Sequence, residues 1–121
     1  MMRGALDGVR VLDVTQVMAG PFCAMQLCDM GADVIKVEPP GGDSSRRMAG
    51  ARGLESPSFN AVNRGKRGIV LNLKLPSAQA VLRRLAARAD ILIENYRPGV
   101  MRSFGLDYES LRDAHPGRRA L

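Results

Sequence analysis

The chain has 121 residues, 45% hydrophobic and 25% charged, with 13 Gly, 7 Pro, 2 Cys and no Trp, which excludes a disordered, collagenous or disulfide-stapled chain and leaves room for one globular domain or part of one. No stretch approaches the ~20 apolar residues of a membrane span, and the start Met1-Met2-Arg3-Gly4-Ala5-Leu6-Asp7 lacks the apolar run of a signal peptide, so a cytoplasmic location is expected. The net charge of +6 is uneven, with three basic and six acidic residues in 1–45 but fifteen basic and six acidic in 46–121, a field suited to nucleic acid, an acidic membrane or a phosphorylated small molecule.

Val9 to Val14 is a short, β-rich apolar run that predicts a buried strand. Gly20-Pro21 then marks a turn and a helix start near Pro21, since proline suits the first helical positions. The mostly apolar stretch Phe22 to Met30 continues that helix to Gly31, the residue best suited to a left-handed cap. Ala32 to Glu38 predicts a second strand, closed by Pro39-Pro40-Gly41-Gly42. Strand, helix, strand is a crossover unit and implies a parallel sheet.

Residues 39–58 form a long Pro/Gly/Ser/Arg loop, a length that usually carries function. Ser58 to Asn63 predicts one helical turn, and Arg64 to Gly68 feeds a third strand over Ile69–Leu73. A second crossover helix starts at Pro76-Ser77, with Ala78, Val81, Leu82, Leu85 and Ala86 on one face and Arg83, Arg84 and Arg88 on the other. Ala89 to Asn95 predicts a fourth strand, followed by two short helices near 98–105 and 108–114. Gly117 to Leu121 reads as the opening of a fifth strand, so the N-terminal part of a larger α/β protein is expected.

Cys23 and Cys28 match neither a redox nor a zinc spacing and read as packing residues, and His115 is the single histidine, so Ser/His/Asp catalysis and multi-histidine metal binding have almost no material. Aromatic residues are too sparse for the stacking platforms of single-strand binders, and no helix-turn-helix or RNA-recognition signature is present. Only Gly20 and Gly31 flank the first helix, against the G-x-G-x-x-G of a dinucleotide site. Asp13 and Glu38 fit a ribose contact or a capping or solvated carboxylate, and neither is assigned a site role. Arg64, Lys66 and Arg67 fit a solvated basic turn or a phosphate contact.

Three stretches, residues 9–46 (VRVLDVTQVMAGPFCAMQLCDMGADVIKVEPPGGDSSR), 63–74 (NRGKRGIVLNLK) and 89–111 (ADILIENYRPGVMRSFGLDYESL), strongly resemble the N-terminus of class III CoA-transferases. The superfamily includes formyl-CoA and carnitine CoA-transferases and α-methylacyl-CoA racemase. The resemblance implies an α/β fold with a Rossmann-like, mostly parallel sheet and crossover helices. It makes residues 1–121 the N-terminal portion of a CoA-binding large domain, in a protein that forms interlaced dimers. Its function would be to move CoA from an acyl-CoA donor to a carboxylic acid through an aspartyl acyl intermediate, with no metal.

The motifs fit a CoA site physically, because ligands of open α/β sheets bind off the carboxyl ends of strands, near helix N-termini that favour anions. The family's CoA contacts carry over to Met18, Ala19, Leu71, Asn72, Leu73, Lys74, Asn95, Tyr96 and Arg97, with Lys74 and Arg97 near phosphates. Some positions depart from the family pattern. Pro39 stands where many members have an arginine at the adenine end, with Arg46 or Arg47 nearby to substitute. Ser103 stands where the transferases have a further CoA-contacting arginine, with Arg102 one place earlier. Met18 aligns with a glutamine of the first loop. The departures bear on oxalate-type substrate specificity more than on CoA binding. No nucleophile is assigned, since the family's catalytic aspartate lies further along the chain. An acyl-CoA racemase is the alternative within the superfamily, and a basic nucleic-acid-binding module the alternative of another class; the resemblance itself implies neither a nucleic acid nor a membrane partner.

Overall fold

The computed structural model describes residues 3–48 and 56–112, and the backbone of residues 119 and 120. Five parallel strands, β1 (Arg10–Asp13), β2 (Asp33–Glu38), β3 (Arg67–Val70), β4 (Ile91–Ile93) and β5 (Arg119–Ala120), form one sheet in the order β3-β2-β1-β4-β5. The helices are α1 (Ala19–Asp29), α2 (Pro57–Asn63), α3 (Pro76–Ala87), α4 (Val100–Ser103) and α5 (Tyr108–Arg112), with a 3-10 turn at Ser44–Arg47. The α/β class, the parallel pairing and the expected fifth strand are all present. Cys23 and Cys28 are half-buried in the packing of α1, as expected. His115 and residues 49–55 of the long loop lie outside the described residues.

Strand side chains alternate between two faces, and each face has its own core. Leu12, Val14, Val37 and Leu92 meet Leu82 and Ala86 of α3 together with Met101, Leu106 and Leu111. On the other face Val11, Val34 and Ile93 meet Ala24 of α1. A sheet buried on both sides explains why β1, β2 and β4 read as continuous apolar runs in the sequence.

Some boundaries differ from the sequence expectation, each for a physical reason. Helix α1 begins at Ala19, two residues before Pro21, because a proline in the first turn sits where the amide has no helical partner. Gly20 allows this start, since a Cβ there would overlap the Thr15 side chain. The C-terminal end follows expectation, with Gly31 at φ 105°. Strand β3 covers Arg67–Val70 rather than 69–73. The ladder's last bond runs from Leu71 N–H to Glu38 O at 2.9 Å. Asn72 then folds the chain into a local turn, its Oδ1 accepting the Lys74 N–H at 3.2 Å and its carbonyl the Leu75 N–H at 3.0 Å.

Leu82 is fully buried between α3 and the sheet. Leu82→Ala is expected to lower the stability by about 2–5 kcal/mol, read as a shift of the urea midpoint at unchanged slope.

Candidate ligand site at the carboxyl edge of the sheet

Because all strands run parallel, their carboxyl ends and the loops that follow lie along one edge. Two lysines beneath this edge organise it. Lys36, in register with Asp13 on the neighbouring strand, is buried, and its Nζ donates to Thr15 O at 2.9 Å and to Asp43 Oδ2 at 2.9 Å. The Lys66 Nζ donates to Asp13 Oδ2 at 2.8 Å, Pro21 O at 2.9 Å and Asn63 Oδ1 at 2.8 Å, which uses all three of its protons. Asp13 completes the link by accepting the Thr15 N–H at 2.9 Å and the Thr15 hydroxyl. Two ammonium groups and two carboxylates are thus buried together, each with partners, as low dielectric requires.

Glu38, at the end of β2, accepts two bonds from Arg46, Nε to Oε2 at 2.8 Å and Nη2 to Oε1 at 2.7 Å, and the Asp43 N–H at 2.8 Å. The Arg46 guanidinium lies 3.7 Å from the centroid of the Phe59 ring, a cation–π contact that pins it. Arg46 is therefore committed within the protein, and Arg47 donates to Gly41 O at 2.8 Å. Asp13 and Glu38 are not solvated: both are buried, each caps a backbone N–H, and each is held by a cation. In the 64–67 turn Lys66 is buried, whereas Arg64 and Arg67 are exposed, where Arg64 pairs with Asp29 at 2.7 Å and Arg67 with Asp33 at 2.7 Å.

These bonds set the titration. The Arg46 bonds to Glu38 outweigh burial and hold its carboxyl below the usual range. Burial would raise Asp43, but the bonds from Ser45 and Lys36 prevail and keep it low. Burial pushes Lys66 down against the pull of Asp13, and it pushes the half-buried Tyr96 hydroxyl up.

At the ends of β2 and β3 lies a cavity of about 160 Å³. It is lined by Leu71, Asn72, Leu73 and Lys74 after β3, by Val37, Glu38 and Pro39 at the end of β2, and by Gln16, Tyr96 and Phe104. Five of the nine residues expected to form the site meet here. Asn95 lies beside it but is engaged: its Oδ1 accepts the Gln16 N–H at 3.0 Å and its Nδ2 donates to Gln16 O at 2.9 Å. Met18 and Ala19 stand exposed at the start of α1, outside this cavity. Arg97 lines a different and larger cavity, about 550 Å³, between β4, α4 and α5. Residues at or just beyond the ends of four strands converge on the smaller cavity: Gln16 after β1, Pro39 after β2, Leu71 to Lys74 after β3 and Tyr96 after β4. Ser103 donates its hydroxyl to Val100 O at 2.6 Å, and Arg102 lies 3.7 Å from Asp107.

The sequence profile of CoA-transferase family III matches residues 6–117, nearly the whole chain. The chain belongs to this family. It is 48% identical over 118 residues to a succinyl-CoA:mesaconate CoA-transferase of Haloarcula marismortui, covering 93% of this chain and 30% of that protein. It is 46% identical over 119 residues to a succinate–glutarate CoA-transferase of Agrobacterium fabrum, covering 92% of this chain and 30% of that one. A crystal structure of a CAIB/BAIF family protein from Brucella suis superposes with a TM-score of 0.92 at 40% identity, over 98% of this chain and 33% of that one. The chain thus spans about a third of the length of the family members it matches.

At about 160 Å³ the cavity is below the roughly 300–1,000 Å³ of a site that encloses a whole ligand. Sequence reasoning missed Gln16, Lys36 and Asp43 and left Lys66 between a solvated turn and a phosphate contact; the signal for Lys36 was a charge set within the apolar run Val34-Ile35-Lys36-Val37.

Removing one partner of a buried pair strands the other. Lys66→Met is expected to cost about 3–5 kcal/mol, measured by urea unfolding. With Asp43 and Glu38 held low in the folded chain, their contribution is intact above the ordinary carboxylate pKa of about 4 and is lost as pH falls through the lower folded values. The urea midpoint should accordingly drop on acidification below about pH 5, and less steeply in Glu38→Gln.

Proposed function

We propose that this chain is the N-terminal part of the CoA-binding large domain of a CoA-transferase, which moves CoA from an acyl-CoA donor to a carboxylic acid. The observation that carries the reading is the convergence of Leu71 to Lys74 and Tyr96 on one cavity at the carboxyl edge of the sheet. Lys74 is exposed at its rim and has no side-chain partner among the described residues, so its ammonium is placed for a phosphate. Tyr96 and Phe104 offer apolar ring surface. The relatives that act on succinyl-CoA, mesaconate, succinate and glutarate support a small dicarboxylic acid as the acceptor.

Acyl transfer in this reading needs a carboxylate nucleophile. Asp13 and Asp43 do not serve, because both are buried and their oxygens are occupied by lysines, backbone amides and hydroxyls. The nucleophilic aspartate is assigned to sequence following the stretch described here, as is the surface through which two subunits interlace. This part supplies binding and orientation for CoA in the cytoplasm. The nucleic-acid alternative loses its footing because Arg46, Arg64, Lys66 and Arg67, which open the basic half, are each tied to a carboxylate.

Calorimetric titration with CoA is expected to show binding that Lys74→Ala weakens roughly tenfold, or about 1.4 kcal/mol, and that Arg97→Ala, on the other cavity, weakens less. A folded chain that takes up no CoA yet binds duplex DNA with a steep salt dependence would overturn the reading.

A further inference from the structure

Among the described residues, Val17 is the one non-glycine residue with a positive φ, 74°. A β-branched side chain avoids this left-handed region, and such a conformation persists where its surroundings over-determine it, a pattern concentrated at functional sites. A glycine would make the same turn without strain. Here the strain is met by clamps from separate elements instead.

Asp43 accepts the Val17 N–H on both carboxylate oxygens, at 3.1 and 3.3 Å. Asn95 brackets the preceding residue through the Gln16 N–H and C=O. Lys36 holds Thr15 O. Asp43 is itself immobilised, since Lys36, the Ser45 N–H at 2.9 Å and the Ser45 hydroxyl at 2.8 Å all donate to its carboxylate, while its own N–H binds Glu38. Consecutive residues of a segment without regular structure are therefore each fixed by a side chain from elsewhere. Val17 leads directly into Met18, whose carbonyl accepts the Phe22 N–H in the first turn of α1. The backbone twist at Val17 thus sets the direction in which Met18, Ala19 and the start of α1 leave the sheet.

We propose that Asp43 is a positioning residue for the CoA site: it holds Val17 in the left-handed conformation and so places the Met18–Ala19 edge for the ligand. The proposal rests on the CoA reading above. Asp43 acts through Val17 and through no contact of its own with CoA.

The test uses the full chain with CoA as the probe, calorimetry for affinity and hydrogen exchange for the Val17 amide. Asp43→Asn is expected to weaken CoA binding at least tenfold and to speed exchange at Val17. Adding Val17→Gly to that variant should restore affinity to within about threefold, because glycine adopts the positive φ without the clamp. Val17→Pro, with φ held near −65° and no N–H to donate, should bind at least tenfold more weakly than Val17→Gly. That comparison decides the matter by itself if Asp43→Asn does not fold. A folded Asp43→Asn that binds CoA like the unaltered chain, a double variant as weak as the single one, or equal affinities for the proline and glycine variants overturns the proposal alone. A folded, unaltered chain that takes up no CoA overturns the CoA reading and the proposal with it.

Discussion

Two buried ammonium groups constrain everything around the carboxyl edge. A lysine taken out of water must find acceptors for its protons or lose its charge, and Lys36 and Lys66 find theirs on elements far apart in the chain. Lys66 ties the end of β1 to the first turn of α1 and to the end of α2. Lys36 ties β2 to the loop after β1 and to Asp43 at the head of the 3-10 turn. Well-packed apolar side chains of similar volume would stabilise the interior about as well. What they would not do is specify which backbone carbonyl and which carboxylate sit over the sheet. The two lysines therefore account for the shape of the edge more than for the stability of the fold.

The sheet was legible in the sequence because a parallel sheet is buried on both faces, so Val9 to Val14, Ala32 to Glu38 and Ala89 to Asn95 read as apolar runs between turn residues. The edge strand was less legible. Arg67, Gly68 and Val70 are exposed on β3, so its pattern lacks a buried face, and the apolar Leu71 and Leu73 drew the expected strand three residues too far. These residues are apolar because they pack over the α3 face and line the cavity. The grouping of Leu71 to Lys74 with Tyr96 was expected from the family resemblance and agreed with topology, since parallel strands deliver their ends to one edge. The separation of Met18, Ala19 and Arg97 from that group did not, because it depends on which face of the sheet each loop turns toward. The lysine network was not legible either. Lys36 obeys the strand period as any residue would, and its partners lie 21 residues before it and seven after, at distances no local pattern reports.

The charge asymmetry also changes meaning once partners are visible. The basic half reads in sequence as a field for a polyanion. In the fold, Arg64 and Arg67 reach across to Asp29 and Asp33 of the acidic half, and Arg46 to Glu38. The exposed pairs add little stability, typically about 0–1 kcal/mol, and each sets a carboxylate beside a cation. A single ammonium such as Lys74 at the rim of a cavity is a feature for a small anionic ligand.

The strand order β3-β2-β1-β4-β5 places a topological switch point between β1 and β4, where ligands of open α/β sheets ordinarily enter. Here that crevice is stitched shut, since Gln16 and Asn95 bond reciprocally across it. A ligand bound as proposed would lie to one side of the stitch, over the ends of β2 and β3, where Leu71 to Lys74 form the cavity wall. Met18 and Ala19 stand at the start of α1, which packs on the opposite face. For one ligand to touch both groups it has to pass over the Gln16–Asn95 bridge and reach from one face of the sheet to the other. A compact molecule held in about 160 Å³ does not do this, whereas a long, jointed one does. In the proposed reading, the bridge and the clamped turn at Val17 would set the length a ligand must have to reach both groups.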